Sequence, residues 1–296
     1  MVQSSTDSHS EIKMGRCTRG AIFSSRWTCD PGRAPAIRPV PTTPVDPAVP
    51  EKRPAVGAAG LEGKTCVVTG ASSGIGRHIA LELASSGATV CAIARSREGL
   101  EETAKAGDLS QFALFPADLT SDAEVARVTR ELAARPGALD VLVHSAGTIS
   151  LGDLATAAVE DLDRQYAANV RAPFLFTQGL LPALRESQGQ IVFINSTGGL
   201  TARANAGQFA ATQHALKAIA DSLREEVNAD GIRVLSVYPG RTATPRQERI
   251  HALEGKAYFS ERLMQPSDVA SMVVTAIALP RSAEVTDLRL RPTRKP

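Results

Sequence analysis

Thr69-Gly70-Ala71-Ser72-Ser73-Gly74-Ile75-Gly76 sets glycines at positions 70, 74 and 76, between an apolar run and an amphipathic one. Glycine at such points lets the chain turn tightly, lets a pyrophosphate approach the backbone and lets a helix pack close to a strand. The N–H groups of the helix's first turn then face the anion. The chemistry this points to is dinucleotide binding, with Gly70, Ser72, Ser73, Gly74, Ile75 and Gly76 as contacts. Its weight comes from context, because the loop follows a strand and opens a helix in the first βα unit. A fold that prefers NAD carries an acid about 20 residues further on to hold the ribose 2′-OH. The chain has Ala94-Arg95-Ser96-Arg97 there. A guanidinium suits a 2′-phosphate, so Arg95 is the expected contact and NADP(H) the expected cofactor.

Such a loop works only if strands and helices position it. From Lys64 onward, short apolar runs alternate with longer amphipathic ones, the signature of repeated βα units. Strands are expected at CVVTG from Cys66, TVCAIA from Thr89, FALFPA from Phe112, VLVHSA from Val141, QIVFIN from Gln190, RVLSVY from Arg233 and near VTDLRL from Val285. Helices are expected at Gly76–Ser86, Asp122–Ala134, Val159–Arg185, Gly207–Ala229 and Pro266–Ala278. Nearly continuous apolar strands joined by helix-length crossovers imply a parallel sheet covered on both faces. The expected fold is α/β: a doubly wound parallel sheet in a single Rossmann-type domain, residues 61–296, behind an N-terminal extension, residues 1–60.

The G-x-x-x-G-x-G spacing with Thr69-Gly70 at its front resembles the short-chain dehydrogenase/reductase family, and the resemblance runs over nearly all of residues 62 to 296. Asp118-Leu119 resembles the family's adenine-contacting acid. His144-Ser145-Ala146-Gly147 stands where Asn-Asn-Ala-Gly is usual, so Ser145, Ala146 and Gly147 are implied cofactor contacts. Asn169-Val170 with Pro173 resembles the helix that bears the active-site Asn. Pro239-Gly240, followed by Thr242 and Thr244, resembles the loop that holds the nicotinamide amide.

Ordinary members carry Ser, then Tyr thirteen residues on, then Lys four after that. The phenol acts as acid or base, and the ammonium lowers its pKa and grips the ribose. Here the resemblance aligns Ser196, Phe209 and Gln213 with those three. Phenylalanine carries no transferable proton, and glutamine can hydrogen-bond a ribose but brings no positive charge. Ser196 could polarise a carbonyl or bond a water, and Asn169 could hold a water or only mend a helix irregularity. Tyr166, three residues before Asn169, could face the same cleft. Lys217 and His214 are expected outside it, and Tyr238 is expected to pack beneath the cofactor. His144 is either a hydrogen-bonded filler or an imidazole titrating near neutrality.

The resemblance implies an NADP(H)-dependent oxidoreductase of atypical mechanism acting on a carbonyl or hydroxyl of a small apolar molecule. Its rivals are a non-redox catalyst using the same pocket and a cofactor-binding protein without turnover. Ile250, Leu253, Tyr258, Phe259 and Leu263 say of the substrate only that it is apolar. The closing strand implies a homo-oligomer by analogy alone.

The formal net charge of +2 arises in the first sixty residues, and the remainder carries no basic excess, so nucleic acid is not an expected partner. Eight prolines between Pro31 and Pro54 point to a disordered extension, either dispensable or a docking arm. Cys17, Cys29, Cys66 and Cys91 form no CxxC pair and have no flanking histidines at zinc spacing, so no metal is expected. Free thiols in apolar strands and the lack of an apolar run long enough for a span suggest a cytoplasmic protein away from membranes.

Overall fold

The computed structural model describes residues 60–135 and 137–294; the expected extension, residues 1–60, lies outside the described residues apart from Gly60. All seven expected strands are present: β1 (Thr65–Thr69), β2 (Thr89–Ala94), β3 (Phe112–Pro116), β4 (Val141–His144), β5 (Gln190–Ile194), β6 (Arg233–Pro239) and β7 (Asp287–Leu290). They form one parallel sheet in the order β3-β2-β1-β4-β5-β6-β7. The central strands are buried on both faces, which is why they read as apolar runs without alternation.

Helices cover both faces. They are α1 (Gly74–Ser85), α2 (Arg97–Ala106), α3 (Asp122–Ala133), α4 (Val159–Tyr166), α5 (Ala172–Ser187), α6 (Gly207–Val227), α7 (Pro245–Leu253) and α8 (Pro266–Ile277). One core layer joins Val68, Ile79, Leu83 and Val273. The other joins Leu142, Phe176, Phe193 and Leu216. Cys66 and Cys91 are free thiols sealed into these layers, where burial pushes their pKa values up and leaves them as small apolar fillers. No described helix is long and apolar enough to cross a membrane.

One expected helix is irregular. Val159–Arg185 is helical throughout, but a π-helical turn, Ala167–Arg171, joins α4 to α5. Pro173 has no N–H for the carbonyl four residues back, that of Asn169, and its ring would crowd that carbonyl, so the hydrogen-bond ladder shifts by one residue here.

The winding reverses between β1 and β4, whose neighbours on either side connect in opposite directions along the sheet. At the C-terminal ends of such strands the connections diverge and leave a crevice. Beside it, α1 lies so close to β1 that a Cβ on Gly76 would stand 2.4 Å from the Gly70 carbonyl oxygen. Gly76→Ala is therefore expected to destabilise the protein by about 1–3 kcal/mol through overpacking, read as a lower denaturant midpoint at unchanged m-value.

Candidate functional site

The crevice is organised around Thr69, the last residue of β1. Its buried hydroxyl oxygen accepts N–H bonds from Ser145 and Ala146, both at 3.1 Å, and donates to the Val143 carbonyl at 3.4 Å. The loops after β1 and β4 are thereby pinned together. A Cβ on Gly70 would stand 2.8 Å from Ala146 Cα, and one on Gly76 would stand 3.1 Å from Ser145 Oγ. Gly70 (φ +71°) and Gly74 (φ +56°) occupy left-handed backbone that favours glycine.

This close-packed turn delivers the N-terminus of α1 to the crevice. Ser73 stands at its N-cap, yet its side chain makes no capping bond, whereas Ser96, Ser121 and Thr244 each accept an N–H in the first turn of α2, α3 and α7. The first-turn N–H groups of α1 are left for another acceptor, which is what a diphosphate group supplies. The loop therefore fits the dinucleotide. Ser72 and Ile75 are half-buried beside it, Ile75 packing onto the core.

Arg95 follows β2 directly and is exposed, and no ion pair engages it among the described residues. Asp118 uses one carboxylate oxygen to hold the Thr120 N–H and hydroxyl, at 3.0 and 2.9 Å. Its neighbour Leu119 is buried in the core.

The β4 loop is gripped from its other side by Asn169, set in the π-helical turn. Asn169 Oδ1 accepts from the Thr148 N–H at 2.7 Å, while Nδ2 donates to the Thr148 carbonyl at 2.9 Å and to Thr212 Oγ1 at 3.0 Å. Both amide hydrogens are thus engaged. Thr212, a residue that no sequence pattern singled out, hydrogen-bonds the Phe209 carbonyl at 2.8 Å and lies within 3.5 Å of Gln213 Nε2.

Ser196 leaves β5 through Asn195, whose Oδ1 accepts the Ser196 N–H at 2.6 Å and whose Nδ2 donates to the Gln213 carbonyl at 2.9 Å. Asn195, also missed from sequence, therefore ties the β5 end to α6. Ser196 Oγ accepts the Gly198 N–H at 3.1 Å, and its own proton has no acceptor among the described residues. A Cβ on Gly198 would meet Phe209 Cε1 at 3.2 Å and Ser196 Oγ at 3.5 Å, so ring and hydroxyl flank one glycine. Ser196, Phe209 and Gln213 are brought together, with Gln213 buried.

The other polar candidates lie apart from this group. Tyr166 is half exposed and Lys217 pairs with Asp221 one turn along α6. His214 bonds back to the Ala210 carbonyl at 2.8 Å. Tyr238 is fully buried beside Ser236, and neither hydroxyl has a partner among the described residues. His144 is buried, stacks on Phe193 at 4.9 Å between ring centroids and bonds Thr177 Oγ1 at 2.9 Å. Burial drives its pKa down to about 3, so it does not titrate near neutrality; it is neutral because no anion compensates its desolvation.

The fourth wall is the chain after β6. Buried Pro239 ends the strand, the Gly240 N–H bonds the Leu290 carbonyl at 2.8 Å, and the Thr242 hydroxyl donates to the Gly240 carbonyl at 3.1 Å. Thr244 caps α7 and touches the glycine loop: a Cβ on Gly74 would stand 3.1 Å from its methyl. From α7, Arg246 Nη2 donates to the Gly147 carbonyl at 2.5 Å, a contact across the crevice that sequence alone did not reveal. Exposed Leu154 overlies the start of α6, and Leu253 and Phe259 are also exposed on the chain after β6. A separate groove of about 370 Å³, lined by His78, Glu82, Gly107 and Ser267, lies between α1, α2 and α8 and shares none of these residues.

Residues 64–254 match the short chain dehydrogenase family. The chain is 34% identical over 235 residues, 78% of its length and 92% of the relative's, to an uncharacterized short-chain type dehydrogenase/reductase of Sinorhizobium fredii. A metagenomic short-chain oxidoreductase in complex with NADP superposes with a TM-score of 0.69 at 28% identity, covering 80% of this chain and 100% of that one. A short chain dehydrogenase from Escherichia coli CFT073 complexed with NADPH gives a TM-score of 0.72 at 27% identity, covering 80% and 99%.

The sealed imidazole has a consequence for stability. A folded pKa near 3 lies well below that of an unfolded histidine, so the stability tied to neutral His144 is full above about pH 6.5 and falls as the pH drops toward 3. The slope over that window approaches about 1.4 kcal/mol per pH unit for one proton. Thermal unfolding of His144→Phe is expected to show a shallower acid-side decline than wild type; equal slopes would assign the decline to other groups.

Proposed function

The chain belongs to the short-chain dehydrogenase family, and on that premise we propose that it is an NADP(H)-dependent oxidoreductase acting on a carbonyl or hydroxyl of a small apolar molecule without the family's phenol relay. Residues 61–296 serve as the NADP-binding domain. The observation that carries the proposal is the uncapped first turn of α1, opening on the same crevice as Ser196 and Gln213. The preference for NADP(H) is supported by Arg95, which is exposed at the end of β2, and by the relatives crystallised with NADP or NADPH.

The bound nicotinamide would supply or accept the hydride. The chain's own residues bind, orient and polarise. Gly70, Ser72, Ser73, Gly74, Ile75 and Gly76 hold the diphosphate. Arg95 holds the 2′-phosphate, and the Asp118-Leu119 turn borders the adenine. Ser145, Ala146 and Gly147, with Pro239, Gly240, Thr242 and Thr244, frame the nicotinamide end. The Ser196 hydroxyl has one of its two lone pairs occupied by the Gly198 N–H and its proton available, so it can donate to a substrate oxygen. Phe209 supplies an apolar wall beside it. Gln213, carrying no charge, offers the ribose a hydrogen bond only. Asn169 acts as a strut between the β4 loop and α6, since both its amide hydrogens are already engaged within the protein.

No group among these donates a full proton at neutral pH, so the proton comes from water or from the substrate, and turnover is slow. The absence of a positioned acid costs on the order of 10²–10⁴ in rate, about 3–5 kcal/mol of barrier. The second reading, binding without turnover, is favoured by the same pair of residues, because neither Phe209 nor Gln213 can move a proton.

Phe209→Tyr combined with Gln213→Lys is expected to raise NADPH-linked carbonyl reduction by about 10²-fold or more over wild type; wild-type activity already equal to the double variant would mean that another acid serves the site. In parallel, Arg95→Ala is expected to weaken NADPH binding by about tenfold or more while leaving NADH unchanged, checked by titration. Equal affinity of the wild type for both dinucleotides would overturn the cofactor preference.

A further inference from the structure

Arg246 is the second residue of α7 and the only side chain from that helix found bonded to the β4 loop among the described residues. The helix does not depend on it for anchorage. Arg241 makes two bonds to Glu254, at 2.8 and 2.7 Å, and lies within 3.2 Å of Nε2 of buried His251, and Thr242 pairs with Met264. The guanidinium is thus presented by a braced element, and its bond to the Gly147 carbonyl can be exchanged without releasing α7.

Two features locate what it faces. Thr244, two residues before it, packs on Gly74, so the N-termini of α7 and α1 meet at the glycine loop. The bond to Gly147 then carries the guanidinium over the crevice between that loop and the β4 loop. A neutral carbonyl leaves most of a guanidinium's donors unused, and a charged phosphate is the stronger partner. Arg246 is exposed and stands near a second cation, Arg249, a setting that an anion relieves.

We propose that Arg246 is a diphosphate clamp, which leaves the Gly147 carbonyl to grip the dinucleotide's phosphates against the first turn of α1. The clamp rests on the dinucleotide site proposed above and gives the crevice a positive charge that Gln213 does not bring.

The test is fluorescence titration of the full chain with NADPH and with NADH, comparing wild type, Arg246→Ala and Arg246→Gln. Glutamine can keep a donor on the Gly147 carbonyl but carries no charge. Both variants are expected to lose affinity for both dinucleotides by the same factor, about tenfold or more. Wild-type affinity in the variants overturns the clamp alone. A loss confined to NADPH also overturns it, because the guanidinium would then serve the 2′-phosphate. Failure of the wild type to bind either dinucleotide overturns both the clamp and the site it rests on.

Discussion

One hydroxyl group, Thr69 Oγ1, fixes the separation of the two loops between which everything else is arranged. Parallel strands on either side of a reversal in winding order lead their connections away from each other, so nothing in the sheet itself holds the loops after β1 and β4 at a set distance. Thr69 does so by accepting the N–H groups of both Ser145 and Ala146 while buried from water. In that surrounding an unmet N–H costs about 1–3 kcal/mol, so the geometry is held firmly. Glycine at 70 then becomes obligatory, because with the loops this close a Cβ would enter the Ala146 backbone, while Gly76 is required by the Gly70 carbonyl within the same turn.

A second set of polar links extends that frame to α6. Asn169 connects the β4 loop to Thr212, and Asn195 connects the β5 end to the Gln213 carbonyl. Ser196, Phe209 and Gln213 therefore sit on a helix and a strand end whose relative position is set by hydrogen bonds at buried atoms. These supports are intact, and the side chains they carry, Phe209 and Gln213, hold neither a phenol nor an ammonium. The cleft's electrostatics consequently differ from those of a site built around a lysine. Its positive potential comes from the α1 N-terminus and from Arg246 at the β4 loop.

Much of the fold was legible in residue order. The seven apolar runs became seven strands because a strand buried on both faces needs no polar alternation, and the long amphipathic runs between them became crossover helices. The helix from Val159 to Arg185 was legible as helix but not as interrupted, since the local effect of Pro173 on the Asn169 carbonyl can be met by a kink, a break or a π turn, and packing chose the last. His144 shows the same limit: its residue type suggests titration, whereas its burial between Phe193 and Thr177 keeps it neutral by desolvation.

Covalent order alone determined the glycine loop, the absence of an acid directly after β2 and the presence of Phe209 and Gln213 thirteen and seventeen residues after Ser196, because each depends on which side chain or bare Cα stands at a counted position. The bonds of Asn195, Thr212 and Arg246 could come only from the folded chain. Each spans elements far apart in sequence, and a hydrogen bond a few ångströms long exists only once burial of apolar surface has brought those elements within reach.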